Sequence, residues 1–520
     1  MSANPQSRRS SAHSAASDAS RQHHAETLRS TYDMYVKYHH TPSVQTEAMG
    51  QKLRVSSHHS QFPVFRNVEK TGVIYATSRA SEHGFTATDP AWANMGQGAP
   101  ETGYIEGGPK RTFELSIDPD DVEYAPNVGI RELRDKVATY YNTLYRKDME
   151  SQYTADNVCI VPGGRAGLTR IMAILAQCQV GFFSPDYTAY EQALGLFQRI
   201  TPSVFLHRDV NAPTMSPEEF QFEAVGRGIG AVLLSNPANP TGQSIEGDAL
   251  REYVDIARKH EVALIMDEFY SHYSSAGPDR SDDVDDETDW PKTVSSAAYI
   301  DDVNRDPILI VNGLTKNWRA PGFRCCWVVA PAPIVEMLGS AGSFLDGGAN
   351  APLQQLALPL MDLDFIRRDA WALQAHFKKK RDDLLAELAS LGITVQFQPT
   401  ATFYIWADLS NLPPPLNDCL VFLEECVKNK IIIVPGLFFD CNPRSVRHVQ
   451  RSKCISNVRF SYGPTFDNLR VGMANMRAMI ERFQRSGEPL TASTYITREL
   501  SKELSRHQSM EEDELKEEAF

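Results

Sequence analysis

Lys316 is the residue whose surroundings most favour covalent chemistry. It follows residues 308–311, an apolar Ile-Leu-Ile-Val run that predicts a buried strand, so its amine is expected near the protein interior. Burial disfavours the charged form of an amine and lowers its pKa, and a neutral amine can attack a carbonyl to form a Schiff base. Arg324, a short loop later, could hold an anion such as a phosphate beside that amine. The pair suggests pyridoxal phosphate (PLP), although a surface lysine at a strand end fits this segment equally well.

Composition limits the classes of partner. The chain has 520 residues and a formal net charge of −14, a length that predicts two or three lobes rather than one core. Part of the negative charge lies in acidic clusters at residues 282–289 and 511–518, which are predicted to be solvated and flexible. An acidic chain without a basic stripe is a poor candidate for nucleic acid binding. No run is long and apolar enough to span a bilayer, so we expect small-molecule partners and no membrane contact.

The N-terminus and the cysteines bear on the compartment. Residues 1–20 are rich in Ser and Ala and lack an apolar signal core, so a cytoplasmic protein is expected. Arg8, Arg9 and Arg21 leave a mitochondrial presequence as the alternative. The eight cysteines form no CxxC pair and most lie in apolar segments, which predicts free thiols in a reducing compartment. Three pairs of adjacent histidines are interpreted as surface residues, and no metal site is predicted.

Apolar runs alternate with helical patterns between about residues 110 and 335. Predicted strands cover residues 158–161, 180–183, 231–234, 263–266, 308–311 and 327–329, and predicted helices cover residues 166–175, 189–197, 247–260, 365–391 and 466–483. Short, nearly continuous apolar strands between helices indicate an α/β protein with a largely parallel sheet covered on both faces.

The chain is expected to divide into five segments. These are a disordered or loosely docked segment (1–60), an N-terminal arm with part of a small domain (61–109), a large PLP-binding domain (110–364) carrying an acidic surface insertion (276–306), a small C-terminal domain (365–485), and an acidic mobile tail (486–520). The long helix predicted at the start of the C-terminal domain could bridge the two lobes.

In an open parallel sheet, ligands bind beyond the carboxyl ends of the strands, and several polar motifs have that position. Residues 162–167, Pro-Gly-Gly-Arg-Ala-Gly, follow one strand and precede a helix. Free backbone N–H groups and the helix dipole make such a turn a candidate anion site, although a glycine-rich turn is more often only a turn. Tyr187 follows the next strand and could stack on a planar heteroaromatic ligand, or simply pack.

Two further motifs occupy the same edge. Residues 235–242, Ser-Asn-Pro-Ala-Asn-Pro-Thr-Gly, predict a rigid extended turn in which the Asn239 amide could donate to a phenolate-like oxygen. Asp267 follows a buried strand, where a carboxylate costs desolvation energy unless it meets a cation or donor. A protonated pyridine nitrogen would be such a cation, and the ring would then act as an electron sink. Tyr270 could share the ring oxygen with Asn239. A helix cap for Asp267 and ordinary packing for Tyr270 are the alternatives.

Together these motifs resemble the class I/II aminotransferases, PLP enzymes with the fold of aspartate aminotransferase. The matching strings are residues 236–242, residues 267–270, and Lys316 with residues 321–324, and the resemblance spans roughly residues 62–485. It implies a fold-type I architecture, in which a large domain has a mostly parallel sheet between helices and a smaller domain is α+β.

The resemblance also implies roles for individual residues. Lys316 would form the Schiff base with PLP and then move the proton between the substrate Cα and the cofactor C4′. Asp267 would pair with the pyridine nitrogen, while Asn239 and Tyr270 would bind the ring oxygen. Stacking by Tyr187 and phosphate binding by Gly164, Arg165, Ala166 and Arg324 complete the implied cofactor contacts.

Three other residues match family segments. Tyr124, in Tyr-Ala-Pro-Asn-Val-Gly, is similar to a tyrosine that reaches the cofactor phosphate of the neighbouring subunit, which implies a homodimer with shared sites. Arg459, in Asn-Val-Arg-Phe-Ser, looks like the arginine that binds the substrate α-carboxylate, and a surface strand arginine is the alternative. Gly98 lies in a string similar to the loop at the substrate entrance, so it is expected to approach the substrate.

The chain also departs from the family pattern. Gly313 stands where many relatives carry a hydroxyl residue, and Arg165 stands where Ser or Thr is frequent, so we hypothesise that Arg165 replaces the lost hydroxyl with a cationic contact. Arg319 could face the phosphate, the substrate or water. Residues 344–352 contain no arginine where dicarboxylate-specific relatives have one, so aspartate and glutamate are not favoured as the defining substrate. Asp346 could instead attract a basic side chain.

The favoured function is a PLP-dependent aminotransferase that moves an amino group from an amino acid to a 2-oxo acid. The same site resembles that of 1-aminocyclopropane-1-carboxylate synthase and of C–S lyases of this fold, so a lyase or cyclase remains an alternative. A non-catalytic PLP-binding protein is a third. The sequence separates these outcomes poorly, because the fate of the substrate carbanion depends on pocket geometry.

Overall fold

The computed structural model describes residues 70, 72–111, 113–114, 116–117, 122–198, 200–209, 211–275, 289–443 and 452–486. The predicted N-terminal segment, the paired histidines, nearly all of the predicted acidic tail and the first half of the predicted insertion lie outside the described residues. Within those ranges, no helix combines the length and the apolar character needed to cross a bilayer.

The strands form three sheets. They are β1 (Ala93–Asn94), β2 (Val158–Val161), β3 (Val180–Phe182), β4 (Ser203–Phe205), β5 (Ala231–Ser235), β6 (Ala263–Asp267), β7 (Ile308–Gly313), β8 (Cys326–Val329), β9 (Tyr404–Asp408), β10 (Ile431–Ile432), β11 (Val434–Pro435) and β12 (Asn457–Ser461). The largest sheet has seven strands in the order β2-β8-β7-β6-β5-β3-β4. All its pairings are parallel except those of β8 with β2 and β7, so the predicted, largely parallel α/β sheet is confirmed.

The α-helices surround and connect these sheets. They are α1 (Gly72–Glu82), α2 (Arg131–Tyr145), α3 (Gly164–Ile174), α4 (Thr188–Phe197), α5 (Pro217–Phe220), α6 (Gly247–His260), α7 (Ala332–Leu345), α8 (Ala351–Ala357), α9 (Leu363–Ser390), α10 (Cys419–Lys428) and α11 (Phe466–Ser486). Helix α9 is preceded by Asp362, whose carboxylate accepts the Phe365 N–H, a typical N-cap.

Both faces of the large sheet are covered. Successive residues of a strand point to opposite faces, and in β2 Cys159 and Val161 enter one apolar core while Val158 and Ile160 enter the other. Every residue of β2, β5, β7 and β8 is buried. Double-sided burial explains why these strands read as continuous apolar runs rather than as alternating patterns. Strand β4 escaped prediction because its three residues are only half-buried.

The remaining strands form a smaller α+β region. Strands β11, β12 and β9 make an antiparallel sheet, and β1 pairs with β10 in parallel, so residues near the start and the end of the described chain lie together. All eight cysteines are free thiols, as predicted, and all but Cys178 are buried. The domain boundaries themselves stay predictions.

The second half of the predicted acidic insertion is not a surface segment, which corrects the sequence analysis. Val294, Ala297, Ile300 and Val303 are buried, and their spacing of three residues places them on one face of a chain that makes a 3₁₀ turn at Ser296–Tyr299. The polar stretch before them concealed this spacing, because aliphatic residues at every third position do not resemble a strand or an α-helix.

Candidate active site

Most of the predicted site residues meet at one edge of the large sheet. Strands β2, β5, β6 and β7 run in the same direction, so their carboxyl ends share that edge. Asp267 is the last residue of β6, while Gly164 and Lys316 follow β2 and β7 within a few residues. Asn239 lies in the turn after β5. This is the edge at which open α/β sheets bind ligands.

Lys316 is half-buried beside aromatic and polar groups. Its Nζ donates a hydrogen bond to the carbonyl of Gly98 and lies 6.0 Å from the centroid of the Phe403 ring. Burial, reinforced by the positive charge of Arg459, lowers the pKa of Lys316 to about 7. A substantial fraction of the amine is therefore neutral near pH 7, which is the form that can act as a nucleophile or a base.

Asp267 is buried next to the same space. Its Oδ2 accepts a hydrogen bond from the Tyr190 hydroxyl at 2.6 Å. Burial raises the pKa of Asp267 to about 6, although the Tyr190 hydroxyl, the Phe269 N–H and the Lys316 charge each act to lower it. A desolvated carboxyl of this kind is stabilised as an anion by any cation placed against it.

Arg459 is fully buried, so it is not the surface strand arginine of the alternative interpretation. It donates from Nη1 to Asn239 Oδ1 at 3.0 Å and from Nη2 to the Gly96 carbonyl at 2.9 Å. Its guanidinium carbon lies 4.1 Å from the centroid of the Tyr404 ring, a cation–π distance. Its Nε is buried without a hydrogen-bond partner among the described residues, so a donor remains to be satisfied.

Two tyrosine hydroxyls close one wall of the site. The hydroxyl oxygens of Tyr270 and Tyr404 lie 3.0 Å apart, and both residues are buried. Burial raises the pKa of each hydroxyl above its ordinary value, so both are protonated at neutral pH. They can therefore donate hydrogen bonds to an oxygen presented between them and Asn239.

The turn between β2 and α3 forms a cradle. Gly163 has φ 106°, in the region that favours glycine, and a Cβ at this position would lie 1.9 Å from Nη2 of Arg324. Arg324 is held by its hydrogen bond from Nη1 to the Pro321 carbonyl at 3.0 Å. Helix α3 begins at Gly164, followed by Arg165 and Ala166. The N–H groups of its first turn and the guanidinium thus face a common space suited to an anion.

Arg165 contacts Tyr187 within this site. Its Nε and Nη2 donate to the Tyr187 hydroxyl at 3.2 and 2.9 Å. The Arg165 side chain is exposed, so it remains accessible to an anion at the start of α3. The structure brings these two predicted cofactor-binding residues together through a contact that the sequence did not suggest.

Gly313 has no room for a side chain unless the neighbouring strand shifts. It is paired with Cys326 across β7 and β8, and a Cβ at position 313 would lie 2.5 Å from the Cys326 Cα. A hydroxyl residue is therefore disfavoured by a close approach of two backbones. Thr315, directly before the lysine, offers the neighbouring hydroxyl, which lies 3.2 Å from Cys326 Sγ. The sequence analysis overlooked Thr315.

Two residues left open by the sequence have structural partners. Arg319 is buried and faces none of the three expected surroundings: it donates to the carbonyls of Glu101 and Gly103 and pairs with Asp369. The Asp346 carboxylate accepts hydrogen bonds from Arg170, so it already has a basic partner within the protein. In both cases the partner is distant in sequence, so no local pattern pointed to it.

Tyr190 and Tyr404 are site residues that the sequence analysis missed. Tyr190 lies three residues after Tyr187, one turn along α4, and this spacing could have placed it beside the same ligand space. Tyr404 begins β9, and no signal near it in the sequence points to the site. Tyr124 lies apart from these residues within the chain, and its side chain is 89% exposed.

Comparisons with known proteins identify the family of the chain. Residues 90–462 match the family model described as "Aminotransferase class I and II". The chain is similar to the aspartate aminotransferase of Pyrococcus horikoshii, with 21% identity over 64% of this chain and 78% of the relative. It is also similar to a probable N-acetyl-LL-diaminopimelate aminotransferase of Bacillus subtilis, with 23% identity over 71% of this chain and 85% of the relative.

Solved structures share the fold. Aspartate aminotransferase from Thermus thermophilus with maleate superposes with a TM-score of 0.63 at 19% identity, covering 80% of this chain and all of that one. The N-succinyldiaminopimelate aminotransferase from Mycobacterium tuberculosis gives a TM-score of 0.62 at 19% identity, covering 79% of this chain and all of that one.

Proposed function

The chain belongs to the class I and II aminotransferase family, and on that premise we propose that Lys316 is the residue through which it moves an amino group from an amino acid to a 2-oxo acid. Members of this family are PLP-dependent aminotransferases, and so is this protein. The observation that carries the proposal is the partly neutral amine of Lys316, whose pKa is lowered to about 7 at the sheet edge that also bears Asp267.

The residues present fit PLP. The buried Asp267 carboxyl lacks a cation in direct ion-pair contact among the described residues, and a pyridinium nitrogen would provide one. The cradle formed by Gly163, the start of α3 and Arg324 suits a phosphate. The Tyr270 hydroxyl and the Asn239 amide would hold the ring oxygen, and the Tyr187 ring would cover one face of the ring. When bound, PLP supplies an aldehyde for the amine and a ring that stabilises negative charge at the substrate Cα.

Each protein group then has a task set by its environment. A substantial fraction of the Lys316 amine is neutral near pH 7 and can accept the proton from the substrate Cα. The same amine would deliver this proton to the cofactor C4′. Asp267 is ionised above a pH of about 6, so the two required forms coexist near neutrality. Phe403 brings apolar surface to the amine and limits its contact with water.

Arg459 is proposed to bind the substrate carboxylate. A guanidinium donates two parallel hydrogen bonds to a carboxylate, and stacking on Tyr404 fixes the plane of the Arg459 guanidinium. Binding requires the substrate to replace the Gly96 carbonyl or to use the unpartnered Nε. The Gly98 carbonyl, now the acceptor of the Lys316 amine, would lie at the edge of the bound amino acid.

A second copy of the chain is proposed to complete the site. Tyr124 is 89% exposed, and Phe113, Ile117, Val122 and Phe344 are among the other exposed apolar residues. Contiguous exposed apolar surface is characteristic of interfaces, and the tyrosine hydroxyl could reach an anion held by a partner. A symmetric dimer would use each surface twice.

A half-reaction tests the proposed function. The PLP-loaded protein is mixed with single amino acids from a broad panel, and the cofactor absorbance is followed without any oxo acid. Conversion to the pyridoxamine form, reversed by a 2-oxo acid, is the expected result for at least one donor. Release of a leaving group with an unchanged cofactor spectrum would instead identify a lyase, and no response across the panel would contradict both activities.

A further inference from the structure

A cavity lies at the carboxyl ends of β3 and β5, next to segments of the candidate active site. Its volume is about 60 Å³ and its lining contains none of the predicted site residues. Apolar groups, among them Met215 and Ile245, form much of the wall. Because a cavity needs roughly 10–15 Å³ of accessible volume to hold one water, this one has room for several waters or for one molecule of a few heavy atoms.

An acidic and a basic side chain line this cavity without forming an ion pair. Asp186 is only 5% exposed, and its Oδ1 accepts a hydrogen bond from the adjacent Tyr187 N–H at 2.7 Å. Its Oδ2 has no hydrogen-bond partner in the described part of the chain. Arg208 is half-buried and donates from Nη1 to the Pro213 carbonyl at 3.1 Å. Across the described residues, no ion pair joins the carboxylate to the guanidinium.

Burial disfavours the charged form of both side chains. It raises the pKa of Asp186 well above its usual range, and the nearby Asp267 raises it further, while the Tyr187 N–H and Arg208 only partly offset these effects. Burial likewise lowers the pKa of Arg208. Of the other titratable groups near the carboxyl, Tyr190 and Tyr253 are buried phenols that carry no charge. Desolvated groups are normally charged only when they are paired, so a cation against Asp186 and an anion against Arg208 would each stabilise the ionised form.

We propose that this cavity binds a small zwitterion, an α-amino acid whose ammonium contacts Asp186 and whose carboxylate contacts Arg208. The acid is more deeply buried than the base, so the amino acid enters with its ammonium first. The apolar wall around Met215 and Ile245 accepts a short aliphatic side chain. The site is distinct from the catalytic one and does not depend on the assignment of Lys316.

A ligand in the cavity would contact segments that also position residues of the candidate active site. Asp186 directly precedes Tyr187, and the cavity is also lined by Asn236, Ala238 and Thr241, which flank Asn239 in the turn after β5. A ligand that orders these two segments therefore stabilises the positions of the stacking ring and of the ring-oxygen donor. The expected consequence is a change in cofactor affinity when the cavity is filled.

The test is a titration that reports on the cavity itself. Methionine methyl groups are labelled with carbon-13, and the Met215 signal, identified with Met215→Leu, is followed in PLP-loaded protein reduced with borohydride to block exchange at the catalytic centre. Alanine is the probe, and ethylamine and propionate carry its two charges separately. Saturable movement of the Met215 signal with alanine, and weaker effects of the two single-charge probes, are expected. Protein that has not been reduced is titrated in parallel. Binding in the cavity can therefore be measured even if PLP does not attach to Lys316.

Variants give the test its specificity. Asp186→Asn and Arg208→Gln should each weaken alanine binding about ten-fold or more, because each removes a charged hydrogen bond. Asp209→Asn, which removes an exposed charge beside Arg208 but not from the cavity lining, should leave the affinity unchanged. The proposal is overturned if alanine leaves the Met215 signal in place, if either single-charge probe binds as tightly, or if both cavity variants bind normally. If Asp186→Asn does not fold, Arg208→Gln decides.

Discussion

The Arg459 guanidinium donates a hydrogen bond to the Asn239 side-chain oxygen at 3.0 Å, across 220 positions of sequence. One residue lies on β12 of the small antiparallel sheet and the other follows β5 of the large sheet. The contact therefore ties the proposed carboxylate site to the proposed ring-oxygen site, and it places the arginine charge where it lowers the pKa of Lys316.

Replacing Arg459 should weaken substrate binding. Arg459→Leu is expected to lower kcat/KM for an amino acid donor. The loss should correspond to about 2–5 kcal/mol of transition-state binding energy, the usual effect of removing one partner of a buried charge pair. Arg459→Lys keeps the charge but not the planar fork, so it should recover only part of the loss. Steady-state kinetics measure both. Equal kcat/KM for wild type and Arg459→Leu would remove the arginine from substrate binding.

The rate of PLP capture should follow the neutral fraction of Lys316. With a pKa of about 7, the capture rate by the protein freed of cofactor is expected to rise with pH and to level off above about 8. Because the Arg459 charge lowers this pKa, Arg459→Leu should move the rise to higher pH. Stopped-flow absorbance across the pH range measures it. A rise centred near the pKa of an ordinary lysine would contradict the environment described for this amine.

The same pKa predicts an effect on stability. The folded pKa of Lys316 lies below the unfolded value of 10.5, so the penalty for burying this amine is absent above pH 10.5 and grows as the pH falls from there toward about 7. In cofactor-free protein, Lys316→Met should therefore increase the free energy of unfolding near pH 7, by up to about 4 kcal/mol, and the gain should vanish above pH 10.5. Denaturant unfolding at the two pH values tests the sign. A loss of stability at pH 7 would contradict it.

Gly313→Ser is expected to destabilise the fold rather than to supply a phosphate contact. Its Cβ would lie 2.5 Å from the backbone Cα of Cys326, and overpacking of this kind costs about 1–3 kcal/mol. Thr315→Ser, which keeps the neighbouring hydroxyl, is the matched control and should be nearly neutral. Chemical denaturation of cofactor-free protein measures the difference. A serine variant as stable as wild type would show that the two strands can separate at this point.

Arg319→Ala should lower the free energy of unfolding rather than the affinity for PLP. The residue is buried against Asp369 and two backbone carbonyls, and breaking a buried pair costs about 3–5 kcal/mol. Arg367→Ala, another largely buried arginine of the region but paired with the exposed Asp364, should cost much less. Denaturant midpoints compare the two. Weakened PLP retention at unchanged stability would instead place Arg319 at the phosphate.

Sequence reasoning reached those parts of the molecule whose signals are local. The strands of the large sheet are continuous apolar runs because both faces are buried, and the residues proposed to hold the cofactor follow them directly, so strand ends and site could be predicted together. Contacts between distant segments left no such signal. Arg319 contacts residues 101–103 and Asp369, and Tyr404 comes from the small sheet. Residues 294–303 follow a polar stretch and bury every third side chain.

Reductive trapping of Lys316 tests the central claim most directly. The protein is incubated with PLP, reduced with borohydride and digested, and the peptide carrying the pyridoxyl group is identified by mass spectrometry beside the Lys316→Ala variant. The account predicts a stoichiometric label on Lys316 of the wild type and none on the corresponding peptide of the variant. An unlabelled Lys316, or a label placed on another lysine, would contradict it.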